Sequence, residues 1–183
     1  MDEWLQKQVN KYANIAFGEA DMVVDRKLKA YLKLFDFAKK DMTFLDLGTN
    51  SGRVAYEMQK IGLKELGVDL PEVITKIKYP INKTAMNLEE DFPKGQWDLI
   101  FCRETIEHLR NYKEVCKKII NALSASGVLI ITAPNNKRDM GKNCPEHVRV
   151  FEGTQLDKLV TNNGGKIVEK FNEKRQRVIV ARK

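Results

Sequence analysis

Phe44-Leu-Asp-Leu-Gly-Thr-Asn-Ser-Gly-Arg53 decides the reading of this 183-residue chain. Thr43 to Leu47 is a buried-strand pattern that runs into Gly48, and Gly52 follows four residues on. The two glycines let the backbone turn sharply where the strand ends and approach a ligand closely. From Ser51 to about Lys60 the spacing predicts a helix, stopped at Gly62. A helix that starts there aims its free N–H groups and positive dipole end at the same place. Asp69 lies seventeen residues beyond Gly52, at the end of a second short strand, Leu66-Gly-Val-Asp69. A carboxylate there can accept hydrogen bonds from both hydroxyls of a ribose. Standing just ahead of Pro71, it can equally serve as a helix N-cap.

Outward from this stretch the alternation continues. Pro71 opens a helix at its first turn, where a missing N–H costs nothing. A weaker third strand is expected around Thr84 to Asn87, a fourth over Trp97-Asp-Leu-Ile-Phe-Cys102, then helical sequence to about Leu123, and a fifth strand over Gly127 to Thr132. Strands that alternate with helices imply a parallel sheet covered on both faces. After a helix from about Gly153 to Asn162, strands over Lys166–Phe171 and Arg177–Ala181 are separated by about five residues. That is too short for a parallel crossover, so the last pair is read as an antiparallel hairpin. The fold class expected is α/β, a doubly wound, mostly parallel seven-stranded sheet of Rossmann-like type ending in that hairpin. No repeat or low-complexity linker divides the chain, so residues 1–183 are read as one domain. Residues 1–40 are expected to form its helical cap, two helices broken near Gly18, the second with Met22, Val23, Leu28, Tyr31, Leu32 and Phe35 on one apolar face.

Apolar residues at 43% and charged residues at 31% belong to a globular chain rather than a disordered one. The longest apolar runs, such as Val128 to Ala133, are strand-sized, so no membrane span is expected. The acidic, polar start, Met1-Asp-Glu-Trp-Leu-Gln-Lys7, is not a secretory signal, and Cys102, Cys116 and Cys144 share no close metal-ligand spacing. A cytoplasmic location is the expectation. The net charge of +7 is concentrated near the end: Asn136 to Lys183 holds twelve Lys or Arg against six Asp or Glu. Such a bias can attract nucleic acid, an anionic metabolite or a membrane surface, although here the bases alternate with acids and form no block.

A glycine turn with a downstream acid could serve NAD, FAD or S-adenosylmethionine. Asn50 stands where the dinucleotide fingerprint needs its second glycine, the one that clears space for a pyrophosphate. With that, residues 44 to 132 resemble the class I S-adenosylmethionine-dependent methyltransferases, whose five motifs follow in order. Asp46-Leu-Gly-Thr-Asn-Ser-Gly52 resembles their D-x-G-x-x-x-G loop, which places Asp46, Gly48, Thr49, Asn50 and Gly52 at the methionine end of the cofactor. Asp69 matches the ribose-binding acid and Leu70 the residue against the adenine. Asn87-Leu-Glu-Glu-Asp-Phe-Pro93 resembles the loop after strand three, so that Asn87 and Leu88 face the adenine; an aspartate is commoner at Asn87. Trp97 to Leu109 resembles the fourth motif and Leu123 to Asn135 the fifth, and Cys102 is expected to lend its backbone carbonyl to the cofactor's amino group.

Glu104, Glu107 and His108 are the candidates for chemistry after strand four. On a helix, spacings of three and four would put them on one face, where they could bind Mg²⁺ or Mn²⁺. This E-x-x-E-H pattern resembles the ubiquinone-biosynthesis O-methyltransferases and the small-RNA 3′-terminal 2′-O-methyltransferases. Glu107-His108-Leu109 also resembles relatives that use no metal, in which the histidine serves packing, orientation or acceptor contact. His108 and His147, the only two histidines, are the general-base candidates. Pro145-Glu-His-Val-Arg-Val-Phe151 looks like the histidine segment of the metabolite-type members. Trp4, Tyr12 and Phe17 are candidates to cover the cofactor, and Asn135 to Glu146 reads as an acceptor-side lid. These implications give O-methylation of a small molecule or glycan as the first reading, with N-methylation close to it. An RNA 2′-O-methyltransferase is the second, and a non-catalytic cofactor-binding partner subunit the third.

Overall fold

A computed structural model describes residues 38–136 and 144–183, together with Gln6. The expected cap helices, with Trp4, Tyr12, Phe17 and the apolar face from Met22 to Phe35, lie outside the described residues, as does the middle of the Asn135–Glu146 loop. Among the described residues seven strands belong to the mixed, mostly parallel sheet of a Rossmann-like fold, which ends in an antiparallel hairpin. The chain divides into two compact units, Met1–Met86 and Asn87–Lys183.

In the first unit β1 (Thr43–Leu47) is buried along nearly its whole length, as a strand covered on both faces must be. It pairs in parallel with β2 (Lys64–Asp69), which pairs in parallel with β3 (Lys83–Ala85). Helix α1 spans Arg53–Lys60 and buries Val54, Ala55 and Met58, one stripe of its surface. It starts two residues later than its spacing suggested, because Asn50 and Gly52 have φ of 51° and 80°, outside the helical region. Helix α2 (Pro71–Ile74) carries Pro71 in its first turn, and its N-cap is Leu70 rather than Asp69. Strand β3 stops short of Asn87, which instead opens a turn: its carbonyl accepts the amides of Glu90 and Asp91.

In the second unit β4 (Trp97–Arg103) pairs in parallel with β5 (Leu123–Pro134). Strand β5 begins four residues before the expected Gly127. Ser124-Ala-Ser-Gly127 reads as a turn, yet the register shift between Trp97 and Leu99 absorbs the extra residues. Gly127 is needed there, since a Cβ would lie 2.8 Å from the Trp97 carbonyl. Between the strands, a single 3₁₀ turn (Ile106–His108) precedes α3 (Tyr112–Asn121), in place of continuous helix. Helix α4 (Gln155–Asn162) leads into β6 (Lys166–Glu173) and β7 (Gln176–Arg182), an antiparallel hairpin closed by the two residues Lys174 and Arg175. Strand β7 pairs antiparallel with β5. Asp157 of α4 takes a two-pronged hydrogen bond from Arg177 (Nε 2.9 Å, Nη2 2.7 Å) and one from Lys170 at 3.0 Å. The Arg177 guanidinium, with Lys170 behind it, holds the Asp157 carboxyl below the usual carboxylate range. Among the described residues no helix is long and apolar enough to cross a membrane.

Candidate functional site

In the first unit the loop between β1 and α1 is held by its backbone. Gly48 and Thr49 both donate their amides to the Val68 carbonyl, at 2.9 and 3.0 Å, which lays the loop on the end of β2. Thr49 Oγ1 donates to Asp46 Oδ2 at 2.7 Å, so the buried Asp46 carboxylate is engaged within its own turn. Gly48, Asn50 and Gly52 all have positive φ. Glycine adopts that region freely and asparagine tolerates it, whereas other residues pay about 1–2 kcal/mol. At Gly52 the space is closed as well, because a Cβ would lie 2.8 Å from Ile77 Cγ2 and 2.9 Å from Ile81 Cδ1.

Asp69 completes this half. Its Oδ2 accepts the Asn50 amide and its Oδ1 the Leu70 amide, each at 2.8 Å. Among the described residues the carboxylate is thereby oriented by two backbone amides, and it caps no helix by its side chain. Burial pushes its pKa up to about 6, against the two amide hydrogen bonds that pull it down. Each oxygen still has a second acceptor site. A diol such as a ribose 2′,3′ pair supplies two O–H donors, so the donor set fits; Leu70 stands next to it, half-buried.

In the second unit Asn87 accepts the Glu89 amide at 3.1 Å on Oδ1 and donates from Nδ2 to Glu90 at 2.8 Å. Its side chain is thus fixed within its turn, with Leu88 buried beside it. Cys102 is buried in β4, paired with Ile131 of β5. Cys116, an inert core thiol, is pushed up to about 12 by burial.

Glu104, Glu107 and His108 do not share a helical face. Glu104 precedes the 3₁₀ turn at φ 48°, with its amide held by the Thr132 carbonyl at 3.1 Å. The structure instead brings His108 to a segment about forty residues on. His108 Nδ1 donates to the Glu146 carbonyl at 3.2 Å, because a carbonyl can only accept, and in the neutral ring this leaves the lone pair on Nε2. The His108 and His147 rings meet edge to face, 4.7 Å between centroids, and His147 Nε2 lies 3.6 Å from Glu146 Oε1. The Glu107 carbonyl accepts the amides of Val148 and Arg149. Two donor groups whose ligand atoms lie within 4.8 Å of one another result: Glu107, His108 and His147, and Cys144, Glu146 and His147. Glu104 belongs to neither. Sequence reasoning missed Cys144 and Glu146; the signal was Cys144-Pro-Glu-His147, a proline-containing turn that presents three donor side chains at once.

Residues 20–170 match a family described as a methyltransferase domain. A ubiquinone biosynthesis O-methyltransferase of Rickettsia bellii is 24% identical over 106 residues, covering 54% of this chain and 44% of that protein. Phosphoethanolamine N-methyltransferase 2 of Caenorhabditis elegans is 27% identical over 122 residues, covering 59% of this chain and 27% of that protein. The chain therefore spans less than half the length of these curated relatives. Among solved structures, the 1,6-didemethyltoxoflavin-N1-methyltransferase of Burkholderia thailandensis, with bound 1,6-didemethyltoxoflavin and S-adenosylhomocysteine, has a similar fold. Its TM-score is 0.77 at 18% identity, over 99% of this chain and 89% of that chain.

Proposed function

Because this chain belongs to the methyltransferase-domain family, among the class I S-adenosylmethionine-dependent methyltransferases, we propose that it transfers a methyl group from that cofactor to a hydroxyl of a small molecule or glycan, and that residues 1–183 act as one methyltransferase domain. The observation that carries the reading is Asp69, a half-buried carboxylate whose two oxygens are each set by one backbone amide and each keep one acceptor site. S-adenosylmethionine supplies an electrophilic methyl on a sulfonium. Asp46, Gly48, Thr49, Asn50 and Gly52 line its methionine end, and Asp69 accepts the two ribose hydroxyls. The family resemblance assigns adenine contacts to Leu70 in the first unit and to Asn87, Leu88 and the Cys102 carbonyl in the second. His108, with Nδ1 committed to the Glu146 carbonyl, takes the acceptor proton on Nε2, and His147 orients it from the side. Alignment of acceptor and donor supplies on the order of 7–11 kcal/mol in favourable cases, and a general base adds roughly 10²–10⁴-fold.

An RNA acceptor is the second reading, motivated by the basic stretch after Asn136. Several of those bases are spent internally: Lys170 and Arg177 on Asp157, Arg182 and Lys183 on the carbonyls of Ser126 and Asn121. That favours the small acceptor.

A thermal-shift titration with S-adenosylmethionine and S-adenosylhomocysteine tests the cofactor. At about a hundred times Kd a ligand adds roughly 2.7 kcal/mol, a rise on the order of 5–10 °C for a domain of this size. No rise with either form overturns the reading. RNA binding with a steep salt dependence would move the acceptor to the second reading.

A further inference from the structure

The hard-donor set that the sequence pattern suggested for Mg²⁺ or Mn²⁺ does not assemble, since Glu104 stands apart from Glu107 and His108. What assembles is different chemistry. The geometry points to the Cys144-Pro-Glu-His147 turn as a binding site for a divalent ion of borderline softness, Zn²⁺ above all. Its ligands are Cys144 Sγ, a Glu146 carboxylate oxygen and a His147 ring nitrogen, and Glu107, grouped with His147, supplies the fourth donor.

The turn itself builds the site. The His147 amide donates to the Cys144 carbonyl at 3.2 Å, and Pro145 at the second position presets the backbone for that reversal. Three donor side chains from four consecutive residues are thereby gathered within 4.8 Å of one another. Donors on a tetrahedral Zn²⁺ lie about 3.3–3.8 Å apart, given bonds of about 2.0–2.3 Å. Closing the difference asks for about 1 Å, within the reach of side-chain torsions. Burial separates this cluster from a solvated group of polar residues. Glu146 is 1% exposed and Glu107 0%, beside two imidazoles, and a buried carboxylate strongly favours a cation among its neighbours. Thiolate and imidazole select Zn²⁺ and its neighbours over Mg²⁺, which prefers carboxylate and water oxygens. The other two thiols, Cys102 and Cys116, are buried core residues, whereas Cys144 is half-buried and within reach of two further donors. The site stands whether or not the chain transfers methyl groups.

The test uses the full chain, stripped with a chelator and titrated with Co²⁺, then with Zn²⁺ against a chromophoric competitor. One Co²⁺ per chain is expected. It should show a thiolate-to-cobalt charge-transfer band and the visible bands of a four-coordinate ion, and Zn²⁺ should displace it. Cys144→Ser is expected to lose the charge-transfer band and to weaken Zn²⁺ by on the order of 100-fold, at or beyond the upper end of what loss of an outer partner brings. His147→Asn is expected to weaken it similarly, with circular dichroism showing that both variants fold. Glu104→Gln is expected to leave affinity and spectrum unchanged. No uptake, or uptake without the charge-transfer band, overturns the proposal. So does uptake that survives Cys144→Ser and fails in Glu104→Gln, which would seat the ion on the hard-donor set instead.

Discussion

The polar residues of the two units are organised on opposite plans. In the first, Asp46 to Asp69 are close in sequence, and main-chain amides do the holding: Gly48 and Thr49 on the Val68 carbonyl, Asn50 and Leu70 on Asp69. In the second, segments 38 residues apart meet, the His108 ring on the Glu146 main-chain carbonyl and edge to face with His147, and the donors gathered there are imidazoles, carboxylates and a thiol. A backbone-made site depends on turns and strand ends, which glycines and one acid announce. A side-chain-made site depends on how a distant loop returns, which composition does not announce.

The largest expected effect separates the two directly. Asp69→Ala removes two acceptors for ribose hydroxyls, each worth about 1.5–3 kcal/mol when the acceptor is charged. Calorimetry should show S-adenosylhomocysteine binding weakened by roughly 100-fold or more. His147→Ala should leave that affinity within about threefold. Equal losses in the two variants would break the comparison.

Gly52→Val comes next and acts on the fold. It puts a β-branched side chain at φ 80° and drives a Cβ toward Ile77 and Ile81 at 2.8 and 2.9 Å. The cost is about 2–3 kcal/mol, which a melting curve should show as a fall of roughly 5–10 °C. An unchanged melting temperature would mean that the loop is less constrained than its hydrogen bonds indicate.

These two positions also show what the sequence made legible. Gly48, Gly52 and Asp69 were readable because a positive φ, a close approach and a strand-end acid each demand a particular residue type. The antiparallel end hairpin was readable because five residues are too few for a crossover. Strand β5 was placed four residues late, since Ser-Ala-Ser-Gly127 favours a turn until a bulge opposite Trp97 keeps it in the sheet. Glu104 was placed on a helix that does not form there. The i, i+3, i+4 spacing was genuine, but the Glu104 amide bonds to Thr132 of the neighbouring strand instead. Cys144 and Glu146 had no periodic signal; the local turn at Pro145 gathers them with His147, and the return of that turn to the 3₁₀ segment sets the Glu146 carbonyl on His108.

The pH dependence of cofactor binding sharpens the contrast further. Burial raises the Asp69 pKa from 3.8 to about 6, so between those values the native state holds a proton that the unfolded chain has released. Raising the pH through that window therefore weakens the fold, and above about 6 this contribution is constant. Binding runs the other way, since two hydroxyl donors need the ionised carboxylate. Affinity for S-adenosylhomocysteine should rise by up to about tenfold per pH unit toward 6 and then level off. In Asp69→Asn the profile should be flat over the same range. A slope that persisted in that variant would assign the titration to another group.

The smallest effect tests stability in the second unit apart from either site. Asp157 joins α4 to the terminal hairpin through the forked Arg177 bond and Lys170. Its lowered pKa fixes the sign: the contribution is fully present above the ordinary carboxylate value of 3.8 and is lost as the pH falls through the lower, folded-state value. A forked guanidinium–carboxylate pair is among the stronger ion pairs, yet Lys170 is half exposed and adds little. Asp157→Asn should therefore cost about 1 kcal/mol at neutral pH, a fall of roughly 2–4 °C in Tm. S-adenosylhomocysteine affinity should not change, because among the described residues the Asp157 carboxylate bonds to the hairpin cations Lys170 and Arg177. A variant that melted as expected but also lost the ligand would show that the hairpin anchors more than its own unit.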